Sequence, residues 1–283
     1  MVRHWMQRQP VWLWPNLLSL DAPLVAVVWM WMFAKTWRVE YFPPAIYLLL
    51  ALVVWSVYVA DRLLDARFRQ MMDRDVPTRH RIHARLRKPL TVGMILAVIS
   101  SMGLLAFLPV GLWMHGSFVL VLVALYFVMS FVQETELMTY FKNILAGLAF
   151  AYGTAVGVQF YRPASDLLWF LLSTEVLSFA VLCIFNITAI DFWEESRKSP
   201  DPEVKRGYEM LLTLLLIMLG AFALLLAVFA DSYNKPFFVA VLVATGLLYL
   251  VNRERSRFSM DAQRVLADLA MLLPLPVFMF YMR

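Results

Sequence analysis

The chain consists of long apolar runs separated by short polar or proline-containing breaks. Nine runs have the length of a membrane-spanning helix, which needs about 20 apolar residues. They cover approximately 14–35, 44–61, 89–109, 112–132, 142–160, 166–190, 210–230, 236–251 and 263–282. Within each run the apolar residues are continuous, whereas strands of a membrane β-barrel alternate apolar and polar residues. The pattern therefore predicts an all-α polytopic membrane protein, with nine transmembrane helices in a single bundle that occupies residues 1–283 as one domain.

The composition agrees with this prediction. The 283 residues are 62 % hydrophobic and 16 % charged, whereas soluble domains are roughly 45–50 % apolar and about 25 % charged. Such high hydrophobicity also excludes a disordered chain. The single cysteine, Cys183, excludes a disulfide scaffold and a zinc site built from several cysteines.

The positive charges indicate an orientation. Most of the 25 Lys and Arg residues lie in the N-terminal segment and in the loops after the second, fourth, sixth and eighth runs. Because cytoplasmic loops carry an excess of Lys and Arg, we expect a cytoplasmic N-terminus and a C-terminus on the opposite side of a bacterial inner membrane. This topology explains the net charge of +5 without a nucleic-acid partner.

Two acidic clusters close the second and sixth runs. Asp61 and Asp65 end the second run, and Asp191, Glu194 and Glu195 end the sixth. Both runs descend to the cytoplasm in the predicted topology, so both clusters meet the same membrane face. Carboxylates three or four residues apart share a helix face and repel each other, and a hard divalent cation such as Mg²⁺ would offset that repulsion. Either cluster alone is explained by solvated interface residues, but two clusters on one face favour a metal site.

Cations suited to phosphate lie on the same predicted face. The loop after Asp65 is strongly basic and contains Arg79 and Arg81, and Lys142 begins the fifth run. Arginine binds phosphate in a bidentate manner and lysine binds it as a point charge. The positive-inside rule and anionic lipid headgroups are an alternative explanation for the basic loop.

At these positions the chain resembles the UbiA superfamily of intramembrane aromatic prenyltransferases. The stretch 57–66 resembles the family's first motif, N-D-x-x-D-R-x-x-D-A, except that Val57 and Tyr58 replace the initial Asn-Asp. Asp191 and Glu195 match the second motif, D-x-x-x-D. The segments 79–82 and 139–147 resemble the family's basic run and its Tyr/Lys loop with a glycine-bearing fifth helix.

The resemblance implies a chamber inside the bundle and Mg²⁺-dependent transfer of an isoprenyl group from a prenyl diphosphate to a lipophilic, aromatic acceptor. It implies that the catalytic and metal-binding acids are Asp61, Asp65, Asp191 and Glu195, joined at the metal by Glu194. The diphosphate-binding cations would be Arg62, Arg79, Arg81, Lys142 and Lys198. The replaced Asn-Asp favours an alternative, which is a non-catalytic protein that binds or transports an isoprenoid lipid. A membrane terpene cyclase is a further alternative, because it differs only in the fate of the cation.

Three polar residues within the runs are candidates for lining the chamber. Asp21 and Asn186 interrupt the first and sixth runs, and Tyr58 stands in the first motif. Polar groups at membrane depth are expected to face the bundle interior or water, where they would orient an acceptor. For Asp21 and Asn186, structural hydrogen bonding is an equally good explanation.

Overall fold

The computed structural model describes residues 10–72, 86–131, 136–162 and 166–282, and within these ranges it contains helices and no strands. This confirms the all-α prediction. The helices are α1 (Val11–Leu17), α2 (Asp21–Thr36), α3 (Pro44–Met72), α4 (Arg87–Ala106), α5 (Val110–Ser130), α6 (Glu136–Tyr161), α7 (Leu167–Leu172), α8 (Thr174–Lys198), α9 (Pro202–Phe229), α10 (Lys235–Arg253), α11 (Met260–Leu272) and α12 (Pro274–Tyr281).

Eight helical spans in the described ranges are long and apolar enough to cross a membrane. They are formed by α3 to α6, by α8 to α10 and by α11 together with α12. The pair α1 and α2 would add a ninth span, although its axes are bent by 80°. The protein is therefore an integral, multi-pass membrane protein, as the apolar runs predict.

The first apolar run does not form the continuous helix that was expected. It breaks between Leu17 and Asp21, where Ser19 has a φ of 57° in the left-handed region. Pro23 lies in the first turn of α2 and has no amide hydrogen, so it cannot donate back to the Ser19 carbonyl. The left-handed residue and the missing hydrogen bond account for the break.

The sixth run is also divided. The short helix α7 ends at Leu172, and Ser173 caps the N-terminus of α8 by accepting a hydrogen bond from the Val176 amide at 3.4 Å. The spanning helix therefore begins at Thr174 rather than 166, and it continues to Lys198 instead of ending near 190. The acids of the sixth run consequently lie within a helix and not beyond its end.

The chain divides into two compact units, which are described separately, and the prediction of a single domain stays a prediction. The first unit comprises Met1–Val27 and Pro43–Pro109. Within it α3 packs against α4. Trp55 of α3 donates its indole hydrogen to the Leu18 carbonyl at 3.0 Å, so α3 satisfies a backbone group that the break exposes.

The second unit comprises Val28–Phe42 and Val110–Arg283. Its core contains Trp29 and Phe33 of α2, Phe179 of α8 and Phe237 of α10, all fully buried. Trp29 stacks on Phe179 with ring centroids 4.3 Å apart, and Phe33 lies 4.7 Å from Phe237. Cys183, one turn further along α8, is also buried.

Candidate functional site

The acidic end of α8, defined as Asp191, Glu194 and Glu195, lies in the second unit. Asp191 Oδ2 accepts a hydrogen bond from Asn143 Nδ2 of α6 at 2.7 Å, and Asn143 is buried. An amide orients a carboxylate without cancelling its charge, as the outer-shell partners of metal-binding carboxylates do.

Gly147 allows α6 to approach α8 closely. A Cβ atom at Gly147 would lie 2.8 Å from the Ile184 nitrogen and 2.9 Å from its Cα atom. Real Cβ atoms do not come this close to backbone, so only glycine fits at this crossing. Asn143 lies one turn before Gly147 on the same face of α6, which is why its amide reaches Asp191.

Lys142 lies beside Asn143 in the sequence but contacts α5. Its ammonium nitrogen is 5.3 Å from the centroid of the Tyr126 ring, which is the range of a cation–π interaction. Lys142 is partly exposed, so it remains accessible to an anion at this end of the unit.

The other two acids of α8 have different partners. Glu194 forms an ion pair with Arg264 of α11, whose side chain is only 3 % exposed and also contacts Asp261 Oδ1 at 3.3 Å. Glu195 pairs with Lys198 at 2.8 Å, and both side chains are more than half exposed. Within the described ranges, no group of three or more His, Cys, Asp or Glu side chains is placed to hold a metal ion together.

The first-motif residues lie in the first unit. Arg62 is buried, donates to the Asn16 carbonyl at 2.6 Å and lies 5.9 Å from the Tyr58 ring centroid. Asp61 and Asp65 are partly buried on α3, which continues beyond both. Arg62 is expected to bind diphosphate, but its hydrogen bond to Asn16 also stabilises the C-terminal end of α1. Arg79 and Arg81 lie outside the described residues.

Asp21 and Asn186 both make structural hydrogen bonds. Asp21 Oδ2 accepts from Asn16 Nδ2 at 2.6 Å and Oδ1 accepts from the Ala22 amide, so Asp21 joins α1 to α2 across the break. Asn186 Nδ2 donates to the Ala267 carbonyl of α11 at 3.0 Å. The role of either residue toward an acceptor stays a prediction.

Three contributors to this region were not singled out from the sequence. Asn143 orients Asp191, Arg264 binds Glu194, and Asn252 accepts from the Trp193 indole at 2.9 Å. The sequence did indicate that Arg264 has a partner, because an arginine inside an apolar run needs one. Nothing in the sequence indicated the partners of Asn143 and Asn252, since an amide within an apolar run does not reveal which helix it faces.

No protein-family model matches the chain, and neither a curated protein nor a solved structure is significantly similar to it. The residues and contacts described above are therefore the basis for a functional proposal.

Proposed function

We propose that this protein is an Mg²⁺-dependent membrane transferase that moves an isoprenyl group from a prenyl diphosphate to a lipophilic, aromatic acceptor. The observation that carries the proposal is the hydrogen bond from Asn143 to Asp191. A buried neutral amide fixes the direction of a carboxylate on the motif-bearing helix, and the preceding residue, Lys142, is a partly exposed cation on the same helix as the amide. An oriented carboxylate is suited to binding Mg²⁺, and an accessible lysine is suited to binding phosphate.

In this proposal Asp191, oriented by Asn143, is a ligand of Mg²⁺ in the second unit, and Lys142 binds the diphosphate. For Asp61 and Asp65 of the first unit, metal binding is the role that the resemblance implies. When bound, Mg²⁺ would supply positive charge that offsets the charge growing on the departing diphosphate. The bond between the allylic carbon and the diphosphate oxygen breaks, the diphosphate leaves with the electron pair, and the acceptor's electrons form the new carbon bond. The acceptor then loses a proton. Lys142 stabilises the same growing negative charge.

A second candidate is a non-catalytic protein that binds or transports an isoprenoid lipid. Two observations favour it. Glu194 and Glu195 are engaged by Arg264 and Lys198, and Val57 and Tyr58 stand where the resemblance calls for Asn-Asp. Tyr58 cannot replace a carboxylate at neutral pH, because the ordinary pKa of tyrosine is about 10. A terpene cyclase is a third candidate and differs only in the fate of the allylic cation.

The proposed location is the bacterial inner membrane, with the N-terminus in the cytoplasm and the C-terminus on the opposite side. The distribution of Lys and Arg supports this orientation. It places the acidic end of α8 and the acids of α3 on the cytoplasmic side, where water-soluble diphosphate and Mg²⁺ are accessible.

The test is diphosphate release by the purified full chain in detergent, with Mg²⁺, prenyl diphosphates of several lengths and a bacterial lipid extract as the source of the lipophilic acceptor. We expect release by the unmodified protein, its loss in Asp61→Asn and Asp191→Asn, and a partial loss in Asn143→Ala. Glu203→Gln is the matched control, because it removes one exposed carboxylate outside both motifs. Isoprenoid binding by the unmodified protein without any diphosphate release would contradict the transferase and support the lipid-binding candidate.

A further inference from the structure

A second group of polar residues lies at the opposite end of α8 from Asp191. It is called the Glu175 cluster and comprises Thr36, Trp37, Gln159, Arg162 and Glu175, all in the second unit. Glu175 is in the first turn of α8, about 24 Å along the helix from Asp191 at 1.5 Å per residue. The cluster is therefore separate from the proposed transferase site.

An aromatic contact brings α2 and α8 together near this end of the unit. Phe33 of α2 and Phe179 of α8 have ring centroids 5.7 Å apart. Trp37, directly after α2, lies four residues after Phe33, and Glu175, in the first turn of α8, lies four residues before Phe179. The guanidinium of Arg162 lies 5.8 Å from the Trp37 ring centroid, and its positive charge attracts the Glu175 carboxylate.

Three buried polar atoms in this cluster have no hydrogen-bond partner among the described residues. They are Thr36 Oγ1, Trp37 Nε1 and Gln159 Oε1. Their residues are 2 %, 7 % and 1 % exposed, respectively. A buried polar atom without a partner destabilises the folded state, so any group that completes these bonds stabilises this end of the unit.

The Glu175 carboxylate is also weakly satisfied. Glu175 is 4 % exposed, and its carboxylate accepts a hydrogen bond from its own backbone amide and lies 3.5 Å from the Thr174 hydroxyl. Glu175 forms no ion pair within the described part of the chain. Buried carboxylates are normally paired or fully hydrogen-bonded. The Glu175 carboxylate is therefore a second hydrogen-bond acceptor in the cluster, besides the unpartnered Gln159 oxygen.

The chemistry of these atoms selects the ligand. Trp37 Nε1 can only donate, the Gln159 oxygen and the Glu175 carboxylate accept, and Thr36 can do either. The charges of Glu175 and Arg162 offset each other, which disfavours a charged ligand. We propose that the Glu175 cluster is a binding site for a hydroxyl group, which accepts from Trp37 and donates to Gln159 or Glu175. The hydroxyl belongs either to bound water or to the head of an alcohol-bearing amphiphile.

The test uses the indole N–H signals of the full chain in detergent, labelled with ¹⁵N at tryptophan. Trp37→Phe identifies the Trp37 signal. Trp29 is the internal reference, because its indole donates to the Met271 carbonyl at 2.8 Å. We expect the Trp37 proton to be shifted downfield, as for a hydrogen-bonded indole. A cross-peak to water identifies water as the ligand, whereas a shift with octanol but not octane identifies an alcohol.

Gln159→Leu is expected to abolish the water cross-peak or the octanol response of Trp37. Gln263→Leu is the matched control, since Gln263 is a buried glutamine with an unpartnered oxygen outside the cluster. An unchanged Trp29 signal shows that each variant is folded; if Gln159→Leu fails this criterion, Thr36→Val replaces it. The proposal is overturned if Trp37 shows neither a water cross-peak nor an octanol response, or if Gln159→Leu and Gln263→Leu behave alike.

Discussion

At the scale of single residues, the ion pairs of α8 differ in how much water surrounds them. Arg264 is almost completely buried between Glu194 and Asp261. Removing one partner of a buried pair leaves the other charge in a poorly solvating environment and costs about 3–5 kcal/mol. Glu195 and Lys198 are both largely exposed, and such surface pairs are worth about 0–1 kcal/mol. Glu194 therefore anchors α8 to α11, whereas Glu195 contributes little to stability.

We expect Arg264→Met to lower the free energy of unfolding by about 3 kcal/mol, because Glu194 loses its buried cation. Lys198→Met is the control and should change it by less than about 1 kcal/mol. Adding Glu194→Gln to Arg264→Met should recover part of the loss. Thermal unfolding midpoints in detergent measure all three variants, and equal shifts for the two single variants would show that burial does not distinguish the pairs.

At the scale of helices, a glycine determines one helix separation and an aspartate stabilises one turn in the second unit. Gly147 determines the separation of α6 and α8, since its missing side chain faces the backbone of Ile184. Asp231 organises the turn between α9 and α10, where its Oδ1 accepts from the Tyr233 and Asn234 amides at 2.9 Å each. These backbone hydrogen bonds lower the pKa of the Asp231 carboxyl.

Gly147→Ala should force α6 and α8 apart, because the new methyl group would lie within 3 Å of the Ile184 backbone. We expect a destabilisation of about 1–3 kcal/mol, typical of overpacking, and reduced diphosphate release through displacement of Asn143. Gly116→Ala on α5 is the control, since a Cβ atom there meets nothing within 4 Å. A Gly147→Ala protein as stable and active as Gly116→Ala would refute the close approach.

The lowered pKa of Asp231 predicts that the stability of the protein depends on pH. Because its folded pKa is lowered, its ionised form stabilises the turn above the unfolded pKa of about 3.9, and this contribution is lost as the pH falls through the folded pKa. Asp231→Asn keeps the acceptor oxygen but not the charge. The unmodified protein should be more stable than this variant at pH 7, and the difference should vanish well below pH 4. Unfolding midpoints across that range give the answer, and a constant difference would exclude the ionisation effect.

At the scale of the whole molecule, the bent pair α1 and α2 determines the number of crossings. The described ranges contain eight spans besides the pair. If the pair also crosses the membrane, the resulting nine spans would put the two termini on opposite sides; if it re-enters, the eight spans would put them on the same side. The positive-inside rule favours nine, because only nine spans put the N-terminal Arg3 and Arg8 on the same side as the basic loops.

Reporter fusions can distinguish the two topologies. We expect alkaline phosphatase, which is active only outside the cytoplasm, to be active when fused after Arg283 and inactive when fused before Met1. A fluorescent protein that folds only in the cytoplasm should show the reverse pattern. Termini on the same side would indicate that α1 and α2 form a re-entrant segment.

The sequence was sufficient for the spans because a continuous apolar run has the length that a bilayer requires. It was insufficient for the breaks at Ser19 and Ser173, since both halves of an interrupted run are equally apolar. Pro23 and the capping residue Ser173 do indicate a helix start, but a hydropathy pattern is not sensitive to either residue. The acidic positions at the site were also predictable. Their partners Asn143 and Arg264 were not, because pairing depends on how closely two helices approach.

The burial of Cys183 has a practical consequence. It is the single cysteine of the chain and its side chain is buried in α8, so a water-soluble maleimide has no exposed native thiol to modify. A cysteine introduced at any exposed position is therefore labelled alone, without first replacing the native residue. Two such substitutions, one in each unit, would accept a pair of spin labels, and their dipolar coupling would measure the distance between the units with and without a prenyl diphosphate.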